Sequence, residues 1–427
     1  MLDGGDRKTL SPGNHLVENS EIHRFGRWSW TYMPGIHIQG VGHRVAHNHI
    51  HDAPHSAIMF KGNQHLIEYN EINNVVRFSS DAGAIYSGAQ WGYRGNRIEY
   101  NYIYHIDSPF PGYGVHGVYL DDVLSGNSVF GNLFVEVSGH AIMHGGGRDN
   151  LFENNIAVRC GTVLRSDSRG VDWITNPPRA GFNLLEILGH DGVEYQQEPW
   201  CATYPELCAM PNDWTIIAAP GSLWKYPEGS VFSRNLGWQN LQFTSEYNYS
   251  GTGTFNKFAE IEDNLENTDP RFVNEAAGDY RLAADSPALS IPGFVDIPFQ
   301  QMGIVGPPSG DDVTGLTLIN QITNNNGGSA VPADWTLSAS GGPTPFSGPG
   351  PSVSSDANFQ AGSYVLSASG GPNGYTASAW ACDGGSLNGA TITLALGESA
   401  TCTITSNDSE SDEQNRRSSL RMTSGSG

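Results

Sequence analysis

The stretch EYNEIN, residues 68–73, returns as EYNYIY at residues 99–104, and that return decides the fold. Looser copies read ENSEIH (18–23), HNHIHD (47–52), FGNLFV (130–135) and FENNIA (152–157). Their apolar anchors fall at Ile22, Ile50, Ile72, Ile103, Phe134 and Ile156, in steps of 28, 22, 31, 31 and 22 residues. A second track runs through Ile36, Ile58, Ile85, Val118 and Ile142, in steps of 22, 27, 33 and 24. Both tracks alternate in twos, the period of a strand and not of a helix. Two strand tracks advancing together on a base step near 22 predict a parallel β-helix, one coil per repeat, with loops absorbed as extra residues. The recurring asparagines are expected to turn inward at a corner and bond their equivalents above and below, as a ladder.

Composition points the same way. The chain has 427 residues, with 53 Gly, 17 Tyr and 10 Trp but only 15% charged residues, the profile of all-β carbohydrate-active proteins. The net charge is −22, yet the first 180 residues hold 14 Lys and Arg against 17 Asp and Glu, so the excess acid lies further on. That charge repels nucleic acid and anionic membranes, so no nucleic-acid partner is expected. No apolar run of about 18 residues occurs, so no membrane span is expected. MLDGGDRKTL does not read as a signal peptide. Cys201 with Cys208 and Cys382 with Cys402 are candidate disulfides, which favour an oxidising compartment. Either the chain is intracellular or its true N-terminus is missing, and the expectation is the latter, an extracellular or cell-surface monomer.

Along the chain, residues 1–160 read as regular coils and 161–307 as decorated loops with a closure, DPRFVNEAAGDYRLAADSPAL (269–289). Residues 308–311 read as a linker rich in Gly, Pro and Asp. In 312–407, LTLINQIT, DWTLSAS, GSYVLSA and ATITLAL alternate like strands of a small antiparallel β-sandwich. Residues 408–427 are polar and low in complexity, and read as a disordered tail. The predicted fold class is therefore all-β: a right-handed parallel β-helix followed by a sandwich.

Alternation also assigns faces. With Ile36, Ile38, Ile58, Phe60, Ile85, Val118, Leu120 and Ile142 inward, one outward column carries His37, Met59, Tyr86, Tyr119 and Met143. The next carries Gln39, Lys61, Gly88, Asp121 and Gly145. Asp121 is thus expected in a slot between two glycines, beside two stacked tyrosines, an arrangement suited to gripping a sugar. Glycosidic hydrolysis needs two carboxyl groups, which Asp81 and one of Asp121 and Asp122 would supply. Asp81 precedes its strand anchor by four residues and Asp122 follows its own by four. They meet only if the chain bends near Gly83 or folds a loop across the face.

Tyr86, Tyr119, His116, His144, Arg148 and Trp91 are the expected substrate-binding residues. Alternation turns His116 and His144 inward, as satisfied buried imidazoles, and Arg148 could instead brace its loop through Asp149. His47, His49 and His51 alternate on one face. Neighbours about 7 Å apart on a flat strand diverge, so no metal site is assigned and the three read as a polar outer face. A polysaccharide lyase or uronate epimerase is the rival enzyme, with Lys61 or Arg94 as base and Ca²⁺ held by Asp121 and Asp122. Otherwise no cofactor is expected. A non-catalytic glycan-binding or adhesive surface protein is the third alternative.

The repeats together with SSDAGAIYSG, VYLDD, GGGRDN, DSRGVDW, EPWCATYPEL and the DPRF to DSPAL closure resemble β-helix proteins of carbohydrate-active type. They look closest to glycoside hydrolase family 141, whose activities include α-L-fucosidase and xylanase. The resemblance covers about residues 1–307. It implies a glycoside hydrolase acting on a plant or algal polysaccharide or oligosaccharide. It also implies a catalytic pair at the Asp of DAGAIY and one Asp of LDD, here Asp81 and Asp122, with Asp121 the adjacent carboxylate. NNNGG, GPNGYTASAWAC and ATCTITSND resemble the prealbumin-like domains of bacterial surface and secreted proteins, usually spacers or adhesion modules.

Overall fold

Each repeat closes one coil. The computed structural model describes residues 1–110, 112–172, 183–249, 251–305, 314–356, 359–395 and 398–409. The expected linker 308–311 and nearly all of the expected tail lie outside the described residues. The chain divides into two compact units, residues 1–305 and 306–427.

In the first unit the strands stack into three parallel sheets of eight, eight and seven strands. The first sheet includes Ile36–Val41, Ile58–Asn63, Ala82–Ser87, Val115–Leu120, His140–His144 and Thr162–Asp167. Ile36 lies opposite Ile58, Ile58 opposite Ile85, Ile85 opposite Val118 and Val118 opposite Ile142, so one inward column is apolar from coil to coil. The third sheet aligns Ile22, Ile50, Ile72, Ile103 and Phe134 in the same way. The expected anchor Ile156 is displaced by one: Phe134 pairs with Ala157, and Ile156 packs in a separate outer cluster with Leu133, Val135 and Ile297. The reason is the doublet Asn154–Asn155, of which only the second turns inward.

That inward turn is the asparagine ladder. The Nδ2 of Asn48, Asn70, Asn101, Asn132, Asn155 and Asn235 each donates to Oδ1 of its equivalent in the next coil, at 2.9–3.1 Å. The residue before each corner is held at positive φ, for example His47 at 53°, Tyr69 at 52° and Tyr100 at 51°. Non-glycine residues rarely adopt this conformation, and here the buried amide bonds over-determine it. A second corner uses histidine in the same role: His43 Nδ1 accepts from His15 N at 3.2 Å, His65 Nδ1 from His43 N at 3.1 Å, and Asn96 Oδ1 from His65 N at 3.0 Å.

The coils do not stop at 160. After Thr162–Asp167 an inserted segment intervenes, and Val231–Ser233, Leu236–Trp238, Gln242–Tyr247 and Glu260–Glu262 then resume the three sheets. The insertion contains short helices, pinned by the Cys201–Cys208 disulfide. Their Leu184, Leu188, Trp200, Leu207 and Ile217 form a second core with Trp91 and Val123. Phe272–Asn274 and Asp279–Leu282 pair as an antiparallel hairpin.

The second unit is a sandwich of two five-stranded sheets around Leu318, Leu337, Tyr364, Leu366, Ile392 and Cys402. Its pairings are antiparallel except that the first strand, Gly315–Thr323, runs parallel to the last, Ser399–Asp408. Cys382 and Cys402 form a disulfide between paired strands. Among the described residues no helix is long and apolar enough to cross a membrane.

Candidate functional site

Where sister strands of the first sheet end on glycine, Val115–Leu120 ends on Asp121 and Asp122. Gly40, Gly62, Ala89, Asp122 and Gly146 occupy successive coils at this turn, and all have positive φ. Asp122 therefore stands in a glycine column, at φ 40°, where aspartate is among the few side-chain-bearing residues tolerated. Asp121 is still in the sheet: its N–H donates to Ser87 O at 2.8 Å. As alternation predicts, it lies between glycines. A Cβ on Gly88 would lie 2.8 Å from Asp121 Cβ, and one on Gly145 would lie 2.9 Å from Asp122 N.

Asp121 accepts from the Tyr86 hydroxyl at 2.9 Å, from Asp122 N at 2.8 Å and from Arg169 Nη1. Arg169 is the residue that sequence reading missed. Its guanidinium also reaches Asp122 Oδ1 at 2.9 Å, Asp167 Oδ2 at 2.6 Å and the Tyr119 hydroxyl at 3.4 Å. Three carboxylates thus share one buried cation, which is held protonated against the cost of burial. Asp167 and Arg169 lie in the DSRG segment that leaves the following strands of the sheet. Only the place of Asp167, three residues past Leu164 as Asp121 is past Val118, would have pointed to this rim.

Asp81 joins the cluster. A Cβ on Gly83 would lie 2.7 Å from Tyr119 Cβ and 2.9 Å from Ile85 O, so Tyr119 packs against the backbone there as only glycine permits. From there the Tyr119 hydroxyl donates to Asp81 Oδ1 at 3.2 Å. Burial, and then the Asp121 charge, raise the Asp81 carboxyl above its ordinary value. Burial and Asp121 push Asp122 further, to about 6, because Arg169 is divided among three acids and compensates only in part.

The remaining expected residues divide. Tyr86 and Tyr119 line the site but meet edge-to-face, at 5.4 Å and 78°, and are not stacked. His116 does not turn into the core. Gly117 and Val118 both face inward, a Cβ on Gly117 lying 2.7 Å from the Phe134 ring, so alternation slips and His116 moves to the outer face. There it stacks on His140 at 4.9 Å and lines a cavity of about 90 Å³ with Asp81, Tyr119, Arg165 and Arg169. Its Nδ1 has no hydrogen-bond partner among the described residues, against the expectation of a satisfied imidazole.

His144, by contrast, is interior, bonded to Ser166 Oγ at 3.0 Å and Gly147 O at 2.9 Å, and cannot touch substrate. Trp91 is buried under the inserted helices, 1% exposed, and offers no face to a sugar. Arg148 braces its loop, with Nε 3.2 Å from Asp149 Oδ2 and its guanidinium 4.6 Å above the Trp224 ring. Neither Arg94 nor Lys61 serves the acidic cluster: Arg94 is buried and paired to Asp149 at 2.7 Å, and Lys61 lines a separate cavity of about 440 Å³ with Asp3, Gln39 and Tyr93. The Arg169 guanidinium lies at the centre of the acids, where the lyase alternative would put Ca²⁺.

One feature absent from the expectations is a row of exposed rings on three corner loops, those before Ile36–Val41, Ala82–Ser87 and Val115–Leu120. Trp30 lies 4.9 Å from Phe78, and Phe78 6.2 Å from Phe110. All three are about half exposed. Tyr32, on the Trp30 loop, is pushed upward by its own burial and then by the Asp81, Asp121 and Asp122 charges, so the row adjoins the acidic site.

The right-handed β-helix that carries this cluster suggests a carbohydrate-active or adhesive β-helix protein. A family model described as a right-handed beta helix region matches residues 8–171, and one described as a prealbumin-like fold domain matches residues 311–404. Both kinds of domain are typical of extracellular proteins. No curated protein and no solved structure matches the chain.

Proposed function

We propose that residues 1–305 form a glycoside hydrolase acting by paired carboxylates on an extended plant or algal polysaccharide or oligosaccharide, outside the cell. Asp122 donates the proton to the leaving glycosidic oxygen. Asp81 attacks the anomeric carbon or activates the water that does. Asp121, with Arg169, positions Asp122 and is itself held by Tyr86. What supports this reading is the Asp122 carboxyl, raised to about 6 at the rim of the sheet, with Asp81 bonded to the Tyr119 hydroxyl that also contacts Arg169. A proton donor near neutrality beside a second carboxylate is what glycosidic cleavage requires.

The exposed rings supply faces for the C–H surfaces of sugar residues on either side of the cleaved bond. They are also what favours the second reading, a glycan-binding surface protein without turnover.

Reducing-sugar release from fucosylated and xylan-type glycans tests the proposal. Turnover that Asp122→Asn and Asp81→Asn each abolish supports it. Glycan binding by the native chain without turnover would establish the adhesive reading instead. An ultraviolet-absorbing unsaturated uronate among the products would establish the lyase.

A further inference from the structure

The HNHIHD stretch lies away from the acidic cluster, in the third sheet. There Glu21 pairs with His49 and His49 with Glu71, while His23 pairs with His51 and His51 with Asn73. Two outward columns thus run side by side. His49 and His51 do not diverge as a flat strand would require, because their rings stack at 4.2 Å, and His51 stacks on His23 at 5.0 Å. His47 leaves this group: its positive φ turns it to the corner, where Nδ1 lies 3.0 Å from Gln301 O. Glu21, His49 and His51 each offer one ligand atom, and these lie within 4.8 Å of one another.

His51 has both ring nitrogens against carboxylates: Nδ1 lies 3.0 Å from Asp52 Oδ2 and Nε2 lies 3.2 Å from Glu21 Oε1. A neutral imidazole has one N–H, so one contact sets lone pair against lone pair unless a proton or a metal ion fills it. His49 Nε2 accepts from the Asn73 amide at 2.9 Å, so a lone pair faces outward there too. Glu71 Oε1 stands 3.8 Å from that nitrogen and is held by the Tyr104 hydroxyl at 2.7 Å.

We propose that Glu21, His49 and His51 bind a divalent transition-metal ion of the zinc type, bridging Glu21–His23 and His49–His51. Two imidazoles and one carboxylate suit Zn²⁺ and its neighbours, whereas Ca²⁺ and Mg²⁺ prefer all-oxygen shells. Asp52 is the outer carboxylate that orients His51, and binding displaces the Asn73 amide from His49. Metal–ligand distances of about 2.0–2.2 Å require the three ligand atoms to draw inward by roughly 1 Å, which the exposed Glu21 side chain accommodates.

The test is calorimetric titration of the full, untagged, EDTA-treated chain with Zn²⁺ at neutral pH, with Co²⁺ followed by its visible absorption. One ion per chain is expected. His49→Asn and His51→Asn should each weaken binding by at least about tenfold, and Glu21→Gln should weaken it in the same direction. His105→Asn, an exposed histidine outside the group, should leave it unchanged. No saturable binding, or binding that the His49 and His51 variants leave intact, overturns the assignment.

Discussion

The Tyr119 hydroxyl donates to Asp81 Oδ1 at 3.2 Å while accepting from Arg169 Nη2 at 3.4 Å. One phenol thereby ties a carboxylate that precedes one strand to a guanidinium that follows another, although the register of the sheet alone would keep the two apart. Asp81, Asp121, Asp122 and Asp167 become one electrostatic unit around a single cation, and the properties of each acid depend on that sharing.

Asp122→Asn should lower turnover by about 10²–10⁴-fold while glycan binding persists, because the leaving oxygen loses its proton donor. In the native chain the donor must be protonated, so kcat/KM should fall as pH rises through about 6, where Asp122 ionises. A pH–rate profile that stays level well above that value would remove Asp122 from the role.

Arg169→Met leaves three carboxylates facing one another without their cation. It should destabilise the first unit by about 3–5 kcal/mol, measured by urea unfolding. Adding Asp167→Asn, which removes one buried charge of that cluster, should restore part of the loss. A double variant no more stable than the single one would show that the acids are not coupled through Arg169.

His65 should make the coil acid-sensitive. Burial depresses its pKa from 6.5 to about 4, and its unprotonated Nδ1 accepts the His43 N–H. The folded state binds fewer protons than the unfolded chain between these values. The stabilisation is therefore complete above about 6.5 and is lost as pH falls toward 4, by an amount of the order of 3 kcal/mol. His65→Asn keeps an acceptor at the corner and should flatten this part of the stability-against-pH curve. An unchanged slope would exclude His65 as the source.

Trp30→Ala and Phe78→Ala should each cost about 1 kcal/mol of glycan binding, read as a roughly fivefold rise in KM with kcat held. Both rings are about half exposed, so the fold should be unaffected by circular dichroism and thermal unfolding. Unaltered KM in both variants would mean that the ring row is not part of the sugar path.

Most of the coil was legible in the sequence because a strand's period is two and its inward residues must be apolar. Ile36, Ile58, Ile85, Val118 and Ile142 could be aligned on those grounds alone, and the alignment placed Asp121 outward between Gly88 and Gly145. Where two readings were locally equal, the sequence did not choose. Asn154 and Asn155 offered two corners, and the register settled on the second. At Gly117 two consecutive residues face inward, a slip that strict alternation does not contain, and His116 changed faces with it. Trp91 looked available because its burial comes from helices of residues 184–217, far along the chain.

The repeat, the choice of strand over helix, the asparagine ladder and the outward course of VYLDD followed from the amino-acid order, since each depends on neighbours in a coil whose spacing the order itself displays. The assembly of the site did not. Asp81 is linked to the cluster through the Tyr119 hydroxyl, and Arg169 arrives from a later coil. The Asp122 pKa rests on burial, on the neighbouring Asp121 charge and on how one guanidinium is divided among three carboxylates. These are distances between residues 35 to 48 positions apart, and no local pattern encodes them: they exist only once the coils are stacked and the charges share the same buried space.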